Sequence, residues 1–312
     1  MKKTLSLFLG AAVLSVGAAR AQQNLTTVQQ VGSGHTATDT QTGRLNAIAV
    51  IQDGGGNTAT ATQAGNRNTI EQTQDGSRYQ ATATQNGNRN TISQTQEQVG
   101  IFFGGSLTAT QTGNNNDIVQ EQTGQGEASA VQIGDRNSAT QSQVGRQLSA
   151  FITQVGNNND AEQRQSGSGN TVTLLTTGNR NTSYQEQTDF NQTASGIQTG
   201  NGNSLSQRQS YAENTASATQ TGNRNTVEQV QSDGALNAAT SIQVGNDNQA
   251  YQTSLGNGND AYIQQDSFNS FARQQQTGIL NTAETYQGLS GQSSTTLQEG
   301  NNNITIVRQN HP

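Results

Sequence analysis

Side chains suited to acid–base or nucleophilic work are few and scattered. The 312 residues contain two histidines, His35 and His311, no cysteine, and 21 carboxylates without clustered spacing. His35 stands where the chain elsewhere places asparagine, and His311 lies in the tail. No nucleophile, base and orienting group fall into a recognisable constellation, so the sequence predicts no enzyme, no cofactor and no metal centre. The run Gly54-Gly55-Gly56-Asn57 invites comparison with calcium-binding rolls. Such rolls need an acidic ligand in every nonapeptide turn, whereas the period here is eleven and the turns carry mostly Asn. The group that does recur at fixed spacing is the carboxamide. Gln returns every eleven residues from Gln30 almost to the end, with Thr176 and Ser254 as the exceptions. A carboxamide has two donors and one acceptor with two lone pairs. Its chemistry is therefore mutual hydrogen bonding, and columns of amides are the expected functional group.

The elements that position these amides follow from the repeat. Its unit is Gln-x-Gly-x-x-Asn-x5, as in Gln63-Ala64-Gly65-Asn66-Arg67-Asn68 and Gln85-Asn86-Gly87-Asn88-Arg89-Asn90. Spacing departs from eleven three times: Gln96 to Gln111 is longer by four, Gln122 to Gln132 shorter by one, and Gln231 to Gln243 longer by one. Units alternate between small residues (Ala59, Ala61; Ala81, Ala83) and a branched residue with a second Gln (Ile70, Gln72; Ile92, Gln94; Val227, Gln229), which makes the true repeat 22 residues. Strand side chains alternate between faces. In that register Asn68, Ile70, Gln72 and Gln74 share one face, while Thr69, Glu71 and Thr73 share the other. Glu71, Asp117, Glu121, Glu162, Arg164, Arg208, Glu228 and Arg308 all fall on the second face; Asp39 is the charged exception on the first. The first face is expected inside.

Glycines at Gly65, Gly87, Gly156, Gly222 and Gly245 suit bends that need positive φ. The sequence thus predicts an all-β chain: a cross-β solenoid of about 12–13 strand–turn–strand coils with two facing parallel sheets. Stacked about 4.8 Å apart, these coils form a rod on the order of 60 Å long. The expected inward ladder includes Gln63, Asn68, Ile70, Gln72, Gln85, Asn90, Ile92, Gln94, Gln220, Asn225, Val227 and Gln229, with each amide over its equivalent one coil away. Asp189 and Asp233 replace glycine in the repeat and are candidate gatekeepers against premature assembly.

Composition sets the surroundings. Hydrophobic residues are 29% and aromatics 4%, too few for an ordinary core at roughly 1.5–3 kcal/mol for each large side chain buried. Residues 1–21 read as a secretion signal, with Lys2 and Lys3, an apolar stretch, and Ala19-Arg20-Ala21 at the cleavage site. A short segment, 22–29, precedes the array at 30–309 and a tail at 310–312. No later segment reads as a membrane span. Removing the signal takes formal net charge from -6 to -9, which argues against nucleic acid as a partner.

The unit, seen in Gln52-Asp53-Gly54-Gly55-Gly56-Asn57 and onward to Gln63, resembles the curlin repeat. That resemblance spans nearly all of residues 25–309. It implies a homopolymer: an extracellular curli-like amyloid fibre that supports biofilm matrix and adhesion, exported through an outer-membrane pore and started by a nucleator subunit. This chain has many more repeats than familiar curlin subunits and a shorter leading segment. Two alternatives are a minor, nucleating subunit and an ice- or surface-binding solenoid. The second is suggested by Thr58, Thr60 and Thr62 standing in rows with Thr82, Thr84, Thr108 and Thr110. Arginines at the bends, Arg67, Arg89, Arg180 and Arg224, read as solubilising surface.

Overall fold

The computed structural model describes residues 23–100 and 104–310; the secretion signal expected at residues 1–21 and His311 lie outside them. Twenty-four strands run from β1 (Leu25–Ser33) to β24 (Ile304–Gln309), and every described residue pairing is parallel to a strand one coil away. β1 pairs with β3 (Ala47–Gly55), and β2 (Thr36–Arg44) with β4 (Thr58–Asn66), each in a register of 22 residues. Continuing in this way, odd and even half-coils form two facing parallel sheets. β9 (Asp117–Ile133) and β10 (Ser138–Val155) each pass through both sheets without a break. The result is a β-solenoid of about 13 turns.

The ladder begins at Leu25, not at Gln30. Residues from Leu25 on therefore contribute to the first coil, with Leu25 to Gln29 paired to Ala47 to Ile51. A unit written from Gln starts two-thirds of the way along a strand, because each strand begins just after the preceding Asn. Asn24 already occupies an Asn position, its Oδ1 accepting from Asn46 N–H at 3.1 Å.

The three irregular spacings are absorbed at bends. The shortened unit omits a bend residue, and the pairing of β9 with β10 shifts between Arg146 and Leu148. Gly126 sits at that shift, where a Cβ would lie 2.7 Å from the Leu148 carbonyl oxygen. The long unit after Gln96 is matched by Tyr79. This residue takes an Asn position, is fully buried, and donates its hydroxyl to Glu97 O at 2.9 Å and Gly124 O at 3.1 Å. Burial, reinforced by Asp75 and Glu97, pushes the phenol up to about 12.

Between the sheets, large residues oppose small ones coil by coil in one continuous apolar cluster. Ile70, Ile92 and Ile118 are matched with Ala83, Ala109 and Ala130; further on the order reverses, with Ala139 and Ala161 matched to Ile152 and Leu174. Constant width keeps the sheets parallel, since close-packed interiors tolerate little change in volume. Where Gly196 leaves a gap, Leu205 and Leu174 lean in; a Cβ there would come within 2.4 Å of a Leu205 methyl.

Candidate functional site

The amide columns and the two coil ends form the candidate site. Gln63 is buried, and its Nε2 donates both to Gln85 Oε1 at 2.9 Å and across the core to Ala47 O at 3.0 Å. Its Oε1 accepts from Gln41 Nε2 at 3.0 Å. Gln85 repeats this pattern with Gln111 Oε1 and Thr69 O, and Gln220 with Gln243 Oε1 and Ser204 O. Gln72 and Gln94 head a further column, donating to Gln94 and Gln120 at 2.8 Å; Gln229 belongs to it farther on, donating to Gln252 at 2.8 Å. Both donors of each of these amides are thus used, which removes the cost of about 1–3 kcal/mol for an unpaired buried polar group. Gln72 Oε1 is an exception with no hydrogen-bond partner, because the position one coil before it is Val50, whose side chain has no donor.

The asparagine columns work differently from the amide-to-amide stack expected for them. Asn68 Oδ1 accepts from the backbone N–H of Asn90 at 3.0 Å, while its Nδ2 donates to Gly87 O at 2.8 Å. Asn90 and Asn225 do the same toward Gly113 O and Gly245 O. Placed beside the bend, each such Asn ties one bend to the next, and at Asn137, Asn181 and Asn281 the Nδ2 also reaches the Asn Oδ1 one coil before at 3.3, 3.2 and 3.0 Å. His35 imitates this arrangement. Its Nδ1 accepts from Asn57 N–H at 3.3 Å, and its Nε2 lies 3.1 Å from Val31 O, matching the Asn57 Nδ2 bond to Asp53 O. Ile70, Ile92 and Val227 are buried between the amide columns.

The bend glycines meet two constraints. Gly65, Gly87, Gly156, Gly222 and Gly245 have φ of 113°, 135°, 123°, 119° and 120°. A Cβ on Gly65 would also stand 1.8 Å from Gly87 O, and one on Gly222 1.8 Å from Gly245 O. A second left-handed position follows two residues later and holds Arg67, Arg89, Arg180 and Arg224 with φ of 55–58°. Its signal in the sequence was Gly at the same place in Gly34, Gly56, Gly202 and Gly258. Arg224 does more than solubilise, for it grips Asp247 one coil on through two 2.6 Å contacts and holds that carboxyl below the usual range. Outside the same bends, Asn66, Asn88 and Asn114 form an exposed amide ladder with links of 2.9 Å, another feature not extracted from the sequence.

The two gatekeeper candidates part company. Asp189 takes the glycine place with φ of 82°, its carbonyl lying where a Cβ on Gly167 would collide. Asp233 does not replace glycine. It is the added residue of its longer bend, and Gly234 lies under the Gly256 carbonyl in its stead. Outward-facing threonines, mostly half-buried, stand in the expected rows, Thr60 with Thr82 and Thr108, Thr62 with Thr84 and Thr110.

The columns have a direction. Every Gln-to-Gln link among the described residues donates toward the C-terminal end, so Gln30 and Gln41 turn amide oxygen to one end of the rod and Gln298 and Gln309 stand last in their columns at the other. Among the described residues, β1 and β2 pair only with β3 and β4, and β23 (Ser293–Asn301) and β24 only with the strands one coil before them.

Residues 127–156, which run from the second half of β9 through β10, match the family model of the curlin associated repeat. Over these residues the chain is similar to the curlin associated repeat. That match covers one coil and part of the next, and the 22-residue register carries the same geometry through the other coils. No curated protein matches the chain.

Proposed function

We propose that this chain is the structural subunit of an extracellular curli-like amyloid fibre, growing by head-to-tail stacking of coils. The observation that carries this reading is the match between its two ends. Advancing the register by one further coil places Gln298 over Gln30 and Gln309 over Gln41 of a second copy, and Gly300 over Gly32. The glutamine columns and the glycine bends then continue across the joint. Backbone groups along an unpaired strand edge are a template for another chain, and a heterologous contact that does not close generates a filament.

On this reading the role is mechanical, not catalytic. The Asp189 bend delays assembly until export, an outer-membrane pore and a nucleator subunit are the partners, and the fibre serves biofilm matrix and adhesion at the cell surface. Incubating purified residues 22–312 and following thioflavin fluorescence with electron microscopy tests the proposal. Unbranched fibres that seed fresh protein are expected. Persistently monomeric protein with thermal-hysteresis activity would favour the threonine rows as an ice-binding face and refute it.

A further inference from the structure

We infer that the joint between two copies closes only over an uncharged Asp39, making the N-terminal coil an acid-gated docking surface for the C-terminal coil of a second copy. This inference rests on the head-to-tail reading above and adds a condition to it. Asp39 points inward from β2, in the column that holds Ala61, Ala83, Ala109 and Ala130 in the following coils. It is half-buried, and its Oδ1 is shut away from solvent with no hydrogen-bond partner.

The same one-coil advance that aligns the glutamines sets Val307 of the second copy over Asp39. The carboxyl would then lie between Val307 and Ala61, with its remaining water expelled. Nothing nearby supplies a compensating charge. β1 and β4 contain no charged residue, Asp53 of β3 is exposed at its bend, His35 precedes β2 and Arg44 ends it, and Arg308 and Glu299 of the incoming coil are on its exposed side. Burying an ion without a partner is the costliest kind of desolvation.

Burial already raises the Asp39 carboxyl above its ordinary 3.8 in the single chain, and covering the second side acts in the same direction. A raised carboxyl disfavours the assembled state above its raised value. The penalty falls as pH drops through that value toward the ordinary one.

The test is the critical concentration for elongation from preformed seeds, measured from about pH 4 to about pH 8 for the wild type, Asp39→Ala and Asp39→Asn. Between the Asp39 value in the free chain and its higher value in the joint, the wild type should lose up to about tenfold in joint affinity per pH unit, levelling off above the joint value. The two variants should stay flat, and His35→Asn, which keeps the bend geometry, should retain the wild-type slope. A common pH profile for wild type and both Asp39 variants would overturn the inference while leaving head-to-tail growth intact. Failure of every form to elongate at any pH would instead bring down the head-to-tail reading, and this inference with it.

Discussion

Replacing Gln220 by Glu or by Leu separates an amide column from a merely tolerant interior. Gln220 is fully buried and makes three bonds: it accepts from Gln198 at 3.0 Å and donates to Gln243 at 3.1 Å and to Ser204 O at 2.9 Å. Leu leaves the Gln198 donor and the Gln243 acceptor unmatched, at about 1–3 kcal/mol each. Its own burial returns about 1.5–3 kcal/mol, so the net loss is about 1–3 kcal/mol. Glu turns acceptors toward both Gln243 Oε1 and Ser204 O. Keeping it protonated at about pH 7, against an ordinary value near 4.3, costs about 3–4 kcal/mol, and one lost donor adds about 1–3 kcal/mol. Glu should therefore destabilise by about 4–7 kcal/mol at neutral pH. Its folded-state value is raised, so the excess over Leu is full above that raised value and shrinks as pH falls through it toward about 4. Guanidinium unfolding followed by circular dichroism at both pH values measures this. Equal effects of Glu and Leu at neutral pH, or a Glu penalty indifferent to pH, would refute the buried-column argument.

Three further outcomes are expected. Gly222→Ala, which puts a Cβ 1.8 Å from Gly245 O at a φ of 119°, should cost more than about 3 kcal/mol in the same unfolding assay. Asp189→Gly relieves an Asp held at φ of 82° in the stacked glycine column and should shorten the fibre lag while stabilising by about 1 kcal/mol; Asp233, outside that column, has φ of 57°, a left-handed conformation that Asp adopts readily, so Asp233→Gly should leave the lag unchanged and stability within about 0.5 kcal/mol of wild type. Tyr79→Phe keeps the ring but strips two carbonyls of their hydroxyl donor, and should lower stability by about 1–3 kcal/mol.

Much of this architecture was legible because period-two burial and a 22-residue register act on every coil alike. Gln63 over Gln85 follows from spacing alone, as does the outward sorting of Glu71 and Arg208. Local exceptions were harder to read. Asn68 has the amide of Gln63, but it sits beside the bend, where its Nδ2 meets the Gly87 carbonyl. Arg67 has no left-handed preference to announce its φ; only Gly at equivalent places marks the position. Asp233 looked like a replaced glycine because the added residue shifts the count by one, and spatial stacking alone shows Gly234 in the column. Tyr79 answers an insertion more than fifteen residues away in sequence, a coupling that exists only once coils are stacked.

The central claim is that amide columns run in register through each chain and on into the next. Helical reconstruction of assembled fibres by electron cryomicroscopy tests it most directly. The account predicts coils spaced about 4.8 Å apart without interruption and a subunit repeat of about 62 Å, with Gln309 of one copy over Gln41 of the next. Fibres whose coil spacing breaks between subunits, or whose strands run along the fibre axis, would contradict it.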